Sequence, residues 1–293
     1  VTFIVGASAH GSPGVSTAMQ MVASLWESSA VVPVVVEADA SGGVLAARYE
    51  LSLSPGFVTL AESLRKFEKP ALLDHAQRLP SGVAGVALSP SATAASAQLR
   101  SAVPFLGPYL AESEHPVVLD AGTVLPDSKI VPALTAADLM LWFVRPTREE
   151  LLVLRHRLAE CAQPDDVVAV LVGDTPYNAE QVAAGLDIEV LHTLPVDQRG
   201  AAAVNLGGDD RFLRRSPLAR SCTQLVSLIT ERMRARRRSA GDDAQHGGQV
   251  LDLTDRAASG EVIHVDDDLK VWVPTPEPSA PADPELVVWV NDD

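Results

Sequence analysis

Apolar runs of strand length recur along this chain without alternating with polar residues. They fall at 2–6, 31–36, 83–88, 117–119, 139–144, 167–172 and 190–194 and are rich in Val and Leu. A strand with one wet face alternates, whereas a strand covered on both faces reads as continuous Val and Leu. Such runs restrict the fold to a mostly parallel sheet, and parallel neighbours need crossover connections, usually helices, that cover both faces. The stretches between the runs agree. Arg148–Cys161 carries Leu151, Leu154, Leu158 and Cys161 at helical spacing. Thr147 is placed as its N-cap, with Glu149 and Glu150 at the positive end of the helix dipole. Asn178–Gly185 reads as a shorter helix closing on Gly185. Ser216 and Pro217 open a last helix through Arg238, with Leu218, Cys222, Leu225, Ile229 and Met233 on one stripe. The expected class is α/β, a doubly wound sheet with ligands at the carboxyl ends of its strands.

At that edge the first run passes into the loop Ala9-His10-Gly11-Ser12-Pro13-Gly14-Val15-Ser16-Thr17, and then into the helix-like stretch 18–25. Strand, Gly-containing loop, Ser-Thr pair and helix are the layout of a phosphate-binding loop. In that layout a lysine before the hydroxyl residue neutralises the terminal phosphates. Here Val15 holds its position, and two methyl groups cannot stabilise phosphate charge. Backbone amides of 11–17 and the helix N-terminus remain able to cradle an anion. Pro13 removes one of those donors, and Ser12 stiffens a loop that favours glycine. A lost contact of this charge-assisted kind is worth about 1.5–3 kcal/mol in binding.

The loop resembles the deviant Walker A of the MinD/ParA family, Lys-Gly-Gly-x-Gly-Lys-[Thr/Ser]-Thr. Gly11, Gly14, Ser16 and Thr17 match it, while His10 and Val15 stand where its two lysines would be. Val31–Asp39 resembles the family's second strand with its acid-x-acid ending, Glu37 and Asp39. His115–Gly122 resembles the Walker B strand, with Asp120 placed for a Mg²⁺-bound water. Leu139–Thr147, Val167–Gly173 and the turn Leu194-Pro-Val-Asp197 are similar to later family segments, in the same order over about residues 1–235. The resemblance implies a P-loop NTPase-like domain at 1–238. It also implies a vestigial nucleotide and Mg²⁺ site made of Gly11, Gly14, Ser16, Thr17, Asp39 and Asp120. With both lysines replaced, it implies a pseudo-ATPase that needs no cofactor, weak ATP or ADP with Mg²⁺ being the alternative. An ATP-sandwich homodimer is weakened or made nucleotide-independent by His10. The implied role is a cytoplasmic scaffold or spatial regulator of the TadZ/CpaE or actinobacterial septum-site-determining type, with pilus, secretion or division proteins as partners. Two other functions stay open. One is an active ATPase switch that draws a cation from Lys66, Lys69, Lys129 or Lys270, the chain's only lysines. The other is a DNA-associated partitioning factor.

Charge separates the end of the chain from its body. Residues 240–293 hold thirteen acids against Arg256 and Lys270, a net −11 of the chain's −15. Together with Pro274–Pro284, this composition reads as an acidic, largely disordered tail over 239–293. Three apolar islands interrupt it: Val262–Val265, Leu269–Val273 and Leu286–Val290, the last two sharing Leu-x-Val-Trp-Val. They read either as strands laid on the domain's own sheet edge or as motifs that add a strand to a partner. Partner contact is therefore assigned to Trp272 and Trp289. It is also assigned to the basic helix end, Arg232, Arg234, Arg236, Arg237 and Arg238, which suits a helix C-terminus, a membrane surface or the chain's own tail. The body's mild acidity argues against broad nucleic-acid coating. Cys161 and Cys222 read as core thiols of a reducing compartment, and the scattered histidines have no metal spacing. No run reaches the ~20 apolar residues of a membrane span. The first strand lacks a charged leader, so a cytoplasmic location is expected, peripheral at most to the inner membrane face.

Overall fold

A computed structural model describes residues 2–11, 13–26, 31–207, 215–246, 263–266 and 269–271. Two compact units divide the chain, 1–235 and 236–293.

Among the described residues of the first unit, eight strands form one sheet: β1 (Phe3–Ser8), β2 (Val34–Glu37), β3 (Gln77–Arg78), β4 (Ala84–Val86), β5 (Val117–Thr123), β6 (Leu139–Val144), β7 (Val167–Val172) and β8 (Glu189–Leu194). Their order is β3-β4-β2-β5-β1-β6-β7-β8. All neighbours are parallel except the short edge strand β3, which runs antiparallel to β4. The doubly wound class is thus the observed one, with β3 as an addition that two polar residues, Gln77 and Arg78, did not announce.

Strand periodicity sorts the Val and Leu side chains to opposite faces. Phe3, Val5, Val34, Val36, Val117, Leu119, Met140 and Trp142 face one layer of helices. That layer holds α3 (Phe57–Arg65), α4 (Ala92–Ala111), α5 (Val131–Leu134), α6 (Arg148–Glu160) and α7 (Ala179–Leu186). Ile4, Val35, Val118, Leu139, Leu141, Phe143, Val168 and Val170 face the other. There lie α1 (Val15–Ser24), α2 (Leu45–Tyr49), α8 (Gln198–Asn205) and α9, the helix Pro217–His246. Both faces of β1, β2, β5 and β6 are buried, which is why these strands do not alternate in sequence.

Local signals place most helix ends. Thr147 accepts from the Glu150 amide and opens α6. Asn178 and Gln181 form a reciprocal capping box at α7. That helix does not close on Gly185, which lies within it; Asp187, at φ 57°, makes the left-handed cap two residues later. The stripe Leu218, Cys222, Leu225, Ile229 and Met233 is buried, as expected of a last helix on the sheet. α9 continues past Arg238 to His246. No helix among the described residues is long and apolar enough to cross a membrane.

In the second unit, β9 (Ile263–Asp266) and β10 (Leu269–Val271) form an antiparallel ladder. Two of the apolar islands therefore pair with each other rather than waiting as separate strands. Trp272, Trp289 and the third island lie outside the described residues.

Candidate functional site

The strand order sets β2, β5 and β1 side by side, so their carboxyl ends share one edge. Glu37 and Gly6 are both in register with Asp120. A bulge follows: Ala7 pairs with Gly122, leaving Ala121 as the extra residue. Bulges re-aim side chains and are enriched beside functional sites. Here the bulge turns the Gly122 amide back onto Asp120 Oδ1 at 3.1 Å. Gly122 adopts φ 57°, and a Cβ built on it would collide with the Asp39 carboxylate. Only glycine lets Asp39 lie across the end of β5.

Beyond β1 the loop is tied down from β5. Thr123 donates to the Gly11 carbonyl oxygen at 3.2 Å, and the Ser8 and Thr123 hydroxyls lie 3.3 Å apart. Gly14, at φ 100°, caps α1 without a side-chain hydrogen bond. The first-turn amides of α1 are left without a side-chain acceptor, the usual basis of anion binding at a helix N-terminus. Ser16 hydrogen-bonds Asp120, whose complete burial pushes its carboxyl up to about 6. Asp39 accepts from the Ser41 amide at 2.7 Å. Burial raises its carboxyl as well.

The remaining sequence-assigned residues have other duties. Thr17 is buried and donates to Asn205 Oδ1 of α8 at 3.0 Å. Val15 is 5% exposed and belongs to the apolar layer of α1. His10 is exposed. Glu37 is a structural anchor: its Oε1 accepts from the Val44 and Leu45 amides at 2.5 and 2.8 Å, and its Oε2 from the Leu88 amide at 3.0 Å. Burial pushes its carboxyl up to about 7 against the pull of those three donors. Asp197 of the Leu-Pro-x-Asp turn caps α8 through the Gly200 amide at 2.9 Å and takes the Leu218 amide at 3.2 Å.

A cavity of about 170 Å³ opens at this edge, lined by Gly11, Gly14, Ser16, Asp39, Thr123 and Arg48 among others. Arg48 belongs to α2 and escaped the sequence reading; in Leu-Ala-Ala-Arg-Tyr it looks like any surface helix residue. Its neighbour Tyr49 sets its hydroxyl 2.7 Å from the Val204 carbonyl oxygen and 2.7 Å from the Gln20 side chain, tying α2 to α8 and α1. A second, apolar cavity of about 160 Å³ adjoins through Gly14 and Thr17 and is walled by Val172, Leu194, Val196 and Leu218. For Mg²⁺, Ser16, Asp39 and Asp120 offer the hard oxygen donors the ion prefers. No cluster of three or more acids, histidines or cysteines among the described residues would hold a metal unaided. A cation there would need phosphate oxygens or waters to complete its shell, which is the usual Mg²⁺ arrangement.

The basic end of α9 is not uniform. Arg232 is drawn inward: Nε and Nη2 each lie 2.8 Å from an oxygen of the buried Asp166, and Nη1 lies 2.7 Å from Glu189. It ties α9 to the sheet. Arg234 and Arg238 are exposed.

No protein-family model matches this chain, and no curated protein does. Solved structures do. The chain is similar to a ParA family ATPase from Chlorobium tepidum at 15% identity and TM-score 0.64, covering 77% of this chain and 98% of that one. It is similar to the MinD cell division protein in a MinC:MinD complex from Aquifex aeolicus at 12% identity and TM-score 0.57, covering 79% and 96%. It is also similar to the septum site-determining protein MinD complexed with Mg-ADP from Pyrococcus horikoshii at 15% identity and TM-score 0.56, covering 78% and 95%. The chain has the fold of the MinD/ParA P-loop ATPases.

Proposed function

We propose that this chain is a catalytically degenerate MinD/ParA-like protein that acts as a cytoplasmic scaffold or spatial regulator for pilus, secretion or cell-division machinery. The observation that carries this reading is Val15. The family's phosphate-neutralising lysine is replaced there by a side chain buried in the apolar layer at 5% exposure. Thr17 lines the cleft but donates its hydroxyl to Asn205. Transition-state charge then lacks the preorganised cation on which phosphoryl transfer depends. A MinD fold found in a MinC:MinD complex supports work through protein contacts, and the TadZ/CpaE-like or septum-site branch is where such a chain fits best. A nucleotide-independent homodimer is the expected assembly.

Calorimetry with ATP and ADP, with and without Mg²⁺, and phosphate-release assays test this on the native protein and on Val15→Lys. Turnover by the native protein at rates matched by Val15→Lys would refute the reading. An active switch is the second reading. It is favoured by the intact Ser16–Asp120 contact and by the apolar cavity next to the loop, a suitable bed for a base. The DNA-associated reading loses Arg232 to Asp166 and Glu189. It would return if DNA binding proved steeply salt-dependent.

A further inference from the structure

We propose that the cleft is an oxyanion site whose cation comes from α2: Arg48 takes a phosphate-type group against the loop that lacks its lysines. This takes from the preceding reading only the location of the site and holds whether or not ATP is hydrolysed.

Arg48 lines the same cavity as Gly11, Gly14 and Ser16. Its Nη1 is shielded from solvent and has no hydrogen-bond partner. A buried, unpaired guanidinium nitrogen is costly, and a small turn of this side chain, which already lines the cavity, would bring it to an anion seated there. Its planar fork suits phosphate, which accepts two parallel N–H donors. The same cavity is lined by Gly14, Val15 and Ser16, where α1 opens without a side-chain cap. Two independent donor sets thus converge on one space. Its volume, about 170 Å³, is below the roughly 300 Å³ of small-molecule pockets, so it seats a phosphate group rather than a whole nucleotide. The charges that oppose an anion are Asp39 and Asp120, with Glu37 behind them. Asp120 is close enough to Arg48 to feel its charge, yet makes no ion pair with it. A divalent cation bridging the aspartates to the oxyanion would offset this repulsion, so binding is expected to be stronger with Mg²⁺.

The test uses the full chain, thermal unfolding and calorimetry, in chloride buffers of matched ionic strength. The probes are tripolyphosphate and ATP, each with and without Mg²⁺. Variants are Arg48→Gln, Arg48→Lys and, as an exposed control on α6, Arg155→Gln. Native protein and Arg155→Gln should bind at least one probe alike. Arg48→Gln should lose about tenfold or more in affinity, the usual scale for a charged hydrogen bond. Arg48→Lys should fall between, since it keeps the charge and loses the fork. Without ligand, Arg48→Gln should unfold no earlier than native protein, because it removes an unpaired buried group. Equal binding of tripolyphosphate and ATP is expected of a site that seats the phosphate group alone; much tighter ATP would overturn that assignment. The proposal is overturned if no probe binds the native protein, if Arg48→Gln binds as well as native, or if Arg48→Gln is markedly less stable without ligand. That last result would make Arg48 a structural residue.

Discussion

Glu37→Gln sets two opposing forces against each other at one carboxyl. Glu37 is 2% exposed, and burial raises its pKa from 4.5 to about 7. Three backbone amides on its oxygens pull the other way, since they favour the carboxylate. If burial wins, the native state holds the proton more tightly than the unfolded chain. The stability this contributes is full below pH 4.5 and lost as pH rises through 7. Between pH 5 and pH 8 the loss is about 2.5 kcal/mol, from 1.36 kcal/mol per pKa unit integrated over that window. Glutamine does not titrate, and every other group is common to both proteins. The difference between their urea stabilities therefore reports this carboxyl together with its charge coupling to Asp120. Native protein should lose about 2–3 kcal/mol relative to Glu37→Gln between pH 5 and pH 8. For a domain of this size that is a relative shift of about 5–10 °C in midpoint. Parallel pH curves, within ~0.5 kcal/mol, would falsify the burial argument. A native protein that gains on the variant as pH rises would show that the three amides dominate.

Arg232→Ala leaves the buried Asp166 carboxylate without its two 2.8 Å contacts. Because Arg232 is partly exposed, the loss should lie near 1–3 kcal/mol rather than the ~3–5 of a fully buried pair, and Asp166→Asn added to it should recover part of that in urea unfolding. Gly122→Ala forces a side chain into φ 57° and against the Asp39 carboxylate, and should cost about 2 kcal/mol or more; thermal unfolding checks it, and a neutral result would mean that Asp39 is free to swing away. Cys161 and Cys222 are buried, with Cys222 pushed up to about 12 by burial. Neither should react with a thiol-specific reagent before unfolding, and rapid labelling of native protein would contradict their core placement.

The layers of this fold were legible because a strand buried on both faces has no choice but to be continuously apolar. The same logic located α9, whose single stripe has one sheet face to cover. α4 was harder to read, since Pro104 and Pro108 lie inside it and proline is a helix breaker in isolation. Tertiary packing against α3 and α5 overrides that local preference. The site was legible where the backbone motif fixes it: Gly14, Ser16, Asp39 and Asp120 do converge. It was illegible where function depends on partners distant in sequence. Thr17 lines the cleft but also donates to Asn205, Glu37 matched a family acid but is held by three backbone amides, and Arg232 read as part of a partner-binding cluster but is paired with Asp166. Arg48 gave no signal at all, because a five-residue helix has too few residues to display a period.

The shortness of α2 has a mechanical consequence. A helix of about one and a half turns is too short to bend, so a force on it would shift it as a unit. Its N-terminal end is held by Glu37, which accepts from the amides of Val44 and Leu45. Arg48, on the same helix, lines the cleft. Tyr49, the next residue, is latched to the Val204 carbonyl on α8. α8 is capped by Leu206, a leucine 81% exposed. A load on Arg48 would therefore reach α8 and its exposed neighbour Leu206 through Tyr49.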